Sequence, residues 1–445
     1  MTVVVVGAGP AGMAAARAAA RAGVRVVLVD AAARPGGQYH RQNSLSAEGE
    51  FGLPDGVEHW PDSSVWAVEP IDGGHRVHVR TGRADGPGRR GRCVDTPALV
   101  LATGAYDRAL PFPGWTLPGV YTAGAAQALA KGQGVAVGER VLVAGTGPFL
   151  LPVAESLLDA GAGVLGVLEA GRPFSRWLRD PRGTLTGRGK LAELARYARV
   201  LAANGVPYRT RTTVIAAHGA DRVEEVTTAR LDPDWNVLAG TEQRVRADAV
   251  CAGFGFSPQL ELAVAARCKL RDGFVLVDAA QATSVPGVFA AGEITGIGGA
   301  QLSAAEGEVA GTAAAMRLGV RPPMPHRALR AVRHGRRFAA ALARAHPLRP
   351  GWRGRLTDDT LVCRCEEVDH RELREAVGRR EASGARSLKL VSRAGLGPCQ
   401  GRICGPNIAD LVAGIDPTAF ARRPVAVPVR LAELSEAPAP QEETE

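Results

Sequence analysis

Three groups of residues have the types and spacing to do chemistry. The first is Gly7-Ala8-Gly9-Pro10-Ala11-Gly12, a G-x-G-x-x-G run directly after the apolar stretch Val3–Val6 and directly before an Ala-rich segment. Gly7 permits a tight turn, Gly9 lets the backbone approach a pyrophosphate, and Gly12 lets a helix pack close to a strand. The free amides and positive end of that helix then receive phosphate charge. Asp30 closes the next apolar stretch, 18 residues after Gly12, where a carboxylate can take ribose hydroxyls. Gly7, Gly9, Pro10, Ala11, Gly12 and Asp30 therefore predict a dinucleotide site.

The second group, Gly145-Thr146-Gly147-Pro148-Phe149-Leu150, repeats the pattern with Leu150 where the third glycine belongs and Glu169 in the place of the ribose-binding acid. A bulky leucine at the packing position pushes the helix outward and weakens pyrophosphate docking. No arginine pair directly follows Glu169, so nothing favours NADP. Gly145, Gly147 and Glu169 are expected to belong to a Rossmann-like unit in which NAD is not a working cofactor; the unit holds another nucleotide or nothing. The third group is Cys363-Arg364-Cys365 with Cys399-x-x-x-x-Cys404, a C-x-C … C-x-x-x-x-C set. Four thiolates can bind zinc or an iron–sulfur cluster. Zinc ribbons favour C-x-x-C, whereas C-x-C suits a small cluster. The glycines of Gly395–Gly405 would let amides point at sulfur. A 2Fe–2S centre is the leading expectation, with zinc and unligated thiols as alternatives.

The elements that must position these residues are legible from periodicity. Val3–Val6, Pro10–Ala22 and Val24–Val29 read as strand, helix and strand. Residues 60–105 read as a meander with turns at Asp72–Gly74 and Gly82–Gly91. Val141–Ala144, Pro148–Ala160 and Val164–Leu168 repeat the opening unit, and after Val275 the chain returns to the first domain, ending in a helix near Gln301–Leu318. The division is 1–112 with 275–320, then 113–274, a Pro- and Arg-rich linker at 321–355 with one basic helix near Leu329–Ala345, a cysteine module at 356–412, and an extended, disordered tail at 413–445.

Bulk properties narrow the classes. The 445 residues are 46% hydrophobic and 22% charged, ordinary for a soluble globular protein of two or three domains. No apolar run reaches the ~20 residues a membrane span needs. The first strand begins at residue 3, leaving no room for a leader, so a cytoplasmic location is the default. The net charge of +9 comes with 50 Arg against 4 Lys, but the arginines are scattered without interleaved aromatics, which speaks against nucleic-acid binding. Cys93, Cys251 and Cys268 are isolated and read as small buried hydrophobes. His40, His59, His75 and His78 read as surface residues, so no catalytic residue is assigned.

Several segments carry a family resemblance. Ala98–Gly104 (ALVLATG) resembles the closing strand of two-dinucleotide-binding-domain flavoproteins, with Thr103 and Gly104 beside the flavin. Thr283–Glu293 (TSVPGVFAAGE) resembles their second FAD motif, which usually ends in Asp; here Gly292 is followed by Glu293. Gly298–Ala300 then opens a helix whose start, at Gln301, could face the flavin pyrimidine. The family's disulfide reductases carry a cysteine pair beside the flavin. Residues 31–45 and 115–150 have none, which excludes that chemistry.

The stretch LATGAYDRALPFPGWTLPGVYTAGAAQALAKGQG (Leu101–Gly134), followed by VLVAGTGPFLL, resembles the α subunits of heteromeric FAD-dependent amino-acid and opine dehydrogenases. These include the subunits of that kind in opine (octopine/nopaline) oxidase, hydrogen cyanide synthase and hydroxyproline dehydrogenase. VCRCEEV and GPCQGRICGP resemble the family's BFD-like 2Fe–2S domain, similar to bacterioferritin-associated ferredoxin. The resemblance implies an α/β, two-dinucleotide-binding-domain flavoprotein (FAD/NAD(P)-binding, Rossmann-like) with a small C-terminal helical 2Fe–2S domain. It implies FAD at the first site, with Gly36, Gly37 and Gln38 as the flavin-approaching loop, and Cys363, Cys365, Cys399 and Cys404 as cluster ligands.

It also implies partners. One is a sarcosine/glycine-oxidase-like flavoprotein β subunit that oxidises an amine; a further candidate is a small ferredoxin-like protein. The scheme is relay. A hydride passes to the partner's flavin, and single electrons pass through an interface flavin, for which FMN is a candidate, to the 2Fe–2S centre and a respiratory acceptor, with peripheral membrane association. The alternatives are a stand-alone NAD(P)H-dependent flavin/ferredoxin-type reductase and a non-catalytic iron-handling interaction protein.

Overall fold

A computed structural model describes residues 2–43, 52–84, 86–173, 177, 189–423 and 425–435. The chain opens with β1 (Thr2–Val6), α1 (Pro10–Arg21), β2 (Arg25–Val29) and β3 (Val57–Trp60), then the antiparallel meander β4 (Ser63–Ile71), β5 (Gly74–Thr81) and β6 (Arg90–Thr96), then β7 (Ala98–Leu101) and β8 (Ala105–Asp107). The second unit runs β9 (Val120–Thr122), α2 (Ala123–Gln133), β10 (Arg140–Gly145), α3 (Leu150–Asp159), β11 (Gly163–Glu169), α4 (Gly189–Ala203) and β12 (Tyr208–Thr210). It continues through a small sheet of β13 (Thr212–His218), β14 (Glu225–Arg230) and β15 (Gln243–Arg246) to β16 (Ala249–Gly253), β17 (Phe256–Pro258) and α5 (Glu261–Ala265). The hairpin β18 (Leu270–Arg271) and β19 (Phe274–Val275) precedes β20 (Val288–Ala290), α6 (Ala300–Arg317) and α7 (His326–Ala345).

Two parallel five-stranded sheets result, ordered β20-β7-β1-β2-β3 and β12-β11-β10-β16-β9. In each, the first strand after which a glycine loop follows lies inside the sheet, so the loop emerges at the carboxyl edge where doubly wound sheets bind ligands. Val3–Val5 are fully buried with helices and strands on both faces, which is why β1 reads as an unbroken Val run rather than an alternating one. Helix α1 lies against α6 at backbone distance. A Cβ at Gly307 would overlap the carbonyl oxygen of Ala11, and one at Gly311 that of Ala15. The Ala face of α1 and the Gly spacing of α6 thus serve one close contact, which fixes the start of α1.

The region expected as linker is packed. Ala328 and Val332 of α7 are buried with Leu302, Ala305 and Val309 of α6, and Trp352 is buried in the core of the second unit. The basic helix is amphipathic, and its apolar face found a partner that sequence spacing could not name. The cysteine module contains β21 (Leu361–Cys363), β22 (Val368–Asp369), α8 (His370–Gly378), α9 (Ala385–Ser392) and α10 (Cys404–Leu411) around Leu373, Leu388 and Ile408. The tail also departs from expectation within its described part. Residues 431–435 form a short helix, α11 (Leu431–Ser435), whose buried Glu433 takes Arg89 Nε at 2.7 Å and Nη2 at 2.5 Å. Residues 436–445 lie outside the described set.

Candidate functional site

The first glycine loop has the shape its residue types demand. Gly7 adopts φ +101°, and a Cβ there would run into the Ala102 carbonyl. A Cβ at Gly12 would overlap the Gly7 oxygen. Gly9 is the N-cap of α1 with Pro10 in the first turn, so the amides of the first turn have no acceptor within the helix. The 36–38 loop closes over this point. Gly36 N donates to Ala8 O at 2.8 Å, and Gly37, at φ +61°, brings its Cα so near Gly9 that a Cβ would lie 2.8 Å from the Gly9 Cα. Gln38 accepts Arg41 through Nε at 3.2 Å and Nη2 at 2.5 Å. Asp30 stands half-buried at the end of β2, taking the backbone N–H of Ala8 and, at 2.6 Å, of Ala32. Burial pushes its carboxyl up, and the two amides oppose the rise.

On the far side, Thr103 Oγ1 donates to Gln259 O at 2.9 Å, and Gln259 N donates to Gly104 O at 3.0 Å. Gly292 adopts φ +82°, and a Cβ there would come 2.9 Å from the Ala11 Cβ. The fold therefore brings Gly7, Gly9, Gly12, Gly37, Thr103, Gly104 and Gly292 together at one edge of the first sheet, with glycine where chain passes closest to chain. Gln301 lies exposed in the first turn of α6. Glu293 turns inward on its own chain, where Oε1 accepts Gly299 N at 2.8 Å and Gly298 N at 3.3 Å. Burial pushes this carboxyl up. One of its oxygens is thus committed to shaping the turn before α6.

Sequence reasoning missed the support beneath this wall. Glu306, 1% exposed on α6, accepts Gly292 N at 3.0 Å, Thr295 Oγ1 at 2.9 Å and Arg336 Nε at 2.9 Å. Arg336 also reaches Gln281 Oε1 at 3.0 Å. The available signal was a lone glutamate on the apolar stripe of Leu302, Ala305 and Val309.

The second glycine loop looks alike, but its acid is engaged by its own chain. Glu169 is fully buried and accepts Thr146 Oγ1 at 2.7 Å, Gly147 N at 2.8 Å and Gly171 N at 2.8 Å. His346, at the end of α7, puts Nδ1 3.4 Å from its Oε2. Burial pushes Glu169 up, but His346 and the loop donors outweigh it and hold the carboxyl below its ordinary value. Trp177 stacks on Phe338 of α7, centroids 5.6 Å apart, and meets His346 edge-on. Leu150 is buried, and it and Ala123 both close on Gly253. Asp30 remains half-open in the corresponding place. Gly145 and Gly147 keep positive φ, so the loop persists while its acid is spoken for.

The four cysteines converge. Cys404 lies beside both Cys363 and Cys399, and Cys365 beside Cys399. These contacts draw Cys363 down to about 6 and Cys399 well below its usual range, both first through Cys404. Cys404 itself is raised. Backbone N–H groups of Gly395 and Glu366 point at the Cys363 sulfur, and those of Ile403 and Gly401 at Cys399. Amides aimed at thiolates, in a loop whose Gly401 and Gly405 press on the Phe420 ring, fit a negatively charged iron–sulfur centre. Among the described residues no three His, Cys, Asp or Glu side chains are arranged to hold a single metal ion.

The module docks on the stretch that follows Gly104. Trp115 Nε1 donates to Leu361 O at 2.7 Å, Asn407 Nδ2 to Ala109 O at 2.8 Å, and Arg108 pairs with Asp410 at 2.6 Å.

Outside these sites, Cys251 and Cys268 are buried as expected. Cys93 is half-buried with Sγ 3.3 Å from His78 Nδ1, and His75 is buried rather than at the surface. No helix among the described residues is long and apolar enough to cross a membrane.

Residues 1–319 match the pyridine nucleotide-disulphide oxidoreductase family, and residues 361–413 match the BFD-like 2Fe–2S binding domain. The chain is 33% identical to an opine oxidase subunit of Rhizobium meliloti, covering 98% of this chain and 87% of that protein. It is 31% identical to the hydrogen cyanide synthase protein HcnB of Pseudomonas aeruginosa, covering 90% of each. Among solved structures, L-proline dehydrogenase from P. horikoshii shares the fold with a TM-score of 0.68 at 19% identity, covering 98% of this chain and 80% of that one.

Proposed function

Because the chain belongs to the pyridine nucleotide-disulphide oxidoreductase family and carries a BFD-like 2Fe–2S domain, it is a flavoprotein oxidoreductase, and we propose that it is the electron-transferring subunit of a heteromeric amino-acid, imino-acid or opine dehydrogenase. The observation that carries this reading is the contrast between two similar nucleotide loops. Asp30 is partly exposed beside the first glycine loop, while Glu169 is fully buried, bound by Thr146, Gly147 and Gly171, with His346 Nδ1 3.4 Å away. A chain that takes electrons from NADH needs the second loop open; one that takes them from a partner protein does not.

In this reading Gly9 and the first turn of α1 hold the FAD pyrophosphate, Asp30 the adenosine ribose, and Gly37, Gln38, Thr103, Gly104 and Gly292 line the flavin side. Glu293 fixes the start of α6, where Gln301 faces the ring. Cys363, Cys365, Cys399 and Cys404 ligate the 2Fe–2S centre. When bound, the flavin exchanges electrons in pairs or singly and the cluster one at a time. The docking of Trp115, Arg108 and Ala109 under the cysteine module holds the two cofactor regions in fixed register, since all three residues follow Gly104 in one short stretch.

The partner is a substrate-oxidising flavoprotein, in keeping with relatives named as subunits. The test is to mix the purified chain anaerobically with an amine and its candidate β subunit. Reduction of this chain's flavin and cluster only when partner and amine are both present supports the reading. Reduction by the amine without the partner would overturn it.

A further inference from the structure

Two arginines and one carboxylate are buried where the cysteine module meets the flavin side of the molecule. Glu261, the first residue of α5, lies 2.6 Å from Arg402 Nε and 3.3 Å from Arg423 Nη2. The Arg402 contact is close but off the hydrogen-bond line, so it is ionic in character. The arginine side chains are only 12% and 11% exposed. Arg402 sits in the chain between Cys399 and Cys404, and its N–H donates to Cys399 O at 3.1 Å. Arg423 is bonded to Gln400, the neighbour of Cys399. The Arg402 guanidinium lies 5.9 Å from the ring of Tyr106, two residues past Gly104.

The charge does not close within this group. Two guanidiniums face one carboxylate, and a guanidinium does not shed its proton. A surplus positive charge kept from water requires a negative neighbour. Tyr106 does not supply it, because burial pushes its phenol up to about 12. Nor does Glu366, which is paired with Arg393 at 2.7 Å. Lys389, 4.8 Å above the Phe420 ring, adds to the positive side. The cysteine adjoining the surplus is Cys399, whose carbonyl oxygen lies 3.5 Å from Arg402 Nη1 and whose neighbour Gln400 holds Arg423.

We infer that Arg402 and Arg423, held in place by Glu261, set the reduction potential of the centre bound by Cys363, Cys365, Cys399 and Cys404. The inference rests on the 2Fe–2S reading of those cysteines. One-electron reduction adds one negative charge to the centre, breaks no bond and takes up no proton. A fixed positive charge in a poorly screened junction favours that added charge. Glu261 opposes the effect, so removing it acts with the opposite sign. The junction therefore helps the centre accept an electron on the side that faces the flavin domain.

The test is an anaerobic redox titration of the purified holoprotein with dithionite and mediator dyes, following the cluster by electron paramagnetic resonance. Arg402→Gln is expected to shift the reduced-to-oxidised ratio at a fixed potential at least tenfold towards oxidised, which is 59 mV for a one-electron couple. Glu261→Gln is expected to shift it towards reduced, and Arg402→Lys to stay within about threefold of the parent, with the flavin midpoint unmoved throughout. Should Arg402→Gln lose its cluster, Arg423→Gln and Glu261→Gln carry the same pair of opposite signs. Full cluster signal with no shift, or shifts of the same sign in the arginine and glutamate variants, overturns the inference. A parent protein without any 2Fe–2S signal instead brings down the cluster reading, and the inference with it.

Discussion

Replacing Gly37 with alanine tests whether the first glycine cradle holds a dinucleotide. Gly37 sits at φ +61°, and an added Cβ would come 2.8 Å from the Gly9 Cα, inside normal carbon–carbon contact. Holding a non-glycine residue in the left-handed region costs about 1–2 kcal/mol, and overpacking a tight contact costs about 1–3 kcal/mol. A protein without FAD can relieve both by letting the 36–38 loop lift from Gly9. A protein with FAD cannot, if that loop closes over the pyrophosphate. Roughly 2–4 kcal/mol of the strain is then charged to binding, an increase in Kd of about 30- to 1000-fold.

The assay is FAD titration of apoprotein by flavin fluorescence quenching. The cluster spectrum serves as an internal check that the chain has folded. Gly378→Ala is the matched control, since nothing lies within 4 Å of a Cβ there. A Gly37→Ala protein that binds FAD within threefold of the parent, with the cluster intact, would refute the reasoning about the cradle.

Other outcomes follow from the buried pairs. Arg336→Ala leaves Glu306 with Gly292 N and Thr295 but no cation; because the arginine side chain is 40% exposed, the cost is discounted from the ~3–5 kcal/mol of a fully buried broken pair to ~2 kcal/mol. A melt followed by flavin release should fall by a few degrees, and an unchanged melt would remove Glu306 from the account of Gly292. Glu433 is held at about 2 first by the Arg89 hydrogen bond, below its unfolded value near ~4.3. Its contribution is present above that unfolded value and is lost as pH falls towards 2, so hydrogen-exchange protection of residues 430–435 should drop between about pH 4 and pH 2. The Glu433→Gln tail should lack this transition; one that keeps it would assign the transition to another group.

The two nucleotide units show what a sequence can and cannot disclose. Gly7, Gly9, Gly12 and Asp30 were legible because each answers a local demand: a turn, a close approach, or a strand end. The cysteine spacing was legible for the same reason, since Cys363 with Cys365 and Cys399 with Cys404 are neighbours along the chain. The loss of Leu150's glycine hinted that the second site differs, but the chief difference is Glu169 meeting His346. That pairing depends on where α7 comes to rest, and α7 lay in the stretch expected as a linker. Its resting place is set by Ala328 and Val332 finding Leu302, and by Arg336 finding Glu306. These are contacts between distant segments, with no local pattern to mark them. The Arg89–Glu433 pair hid the order of the tail in the same way, because a Pro-rich, charged segment reads as solvated until Glu433 meets its partner. Glu293 shows a finer limit: its place in the motif was readable, but not that Oε1 would turn back on Gly299.

The most direct test of the relay reading is the visible spectrum of the anaerobically purified chain before and after NADH. Flavin bands over a broad cluster absorption are expected, unchanged by NADH because Glu169 is fully buried and bound by its own loop. Rapid bleaching of the flavin by NADH would contradict that reading, and would make the chain a reductase that works without a partner.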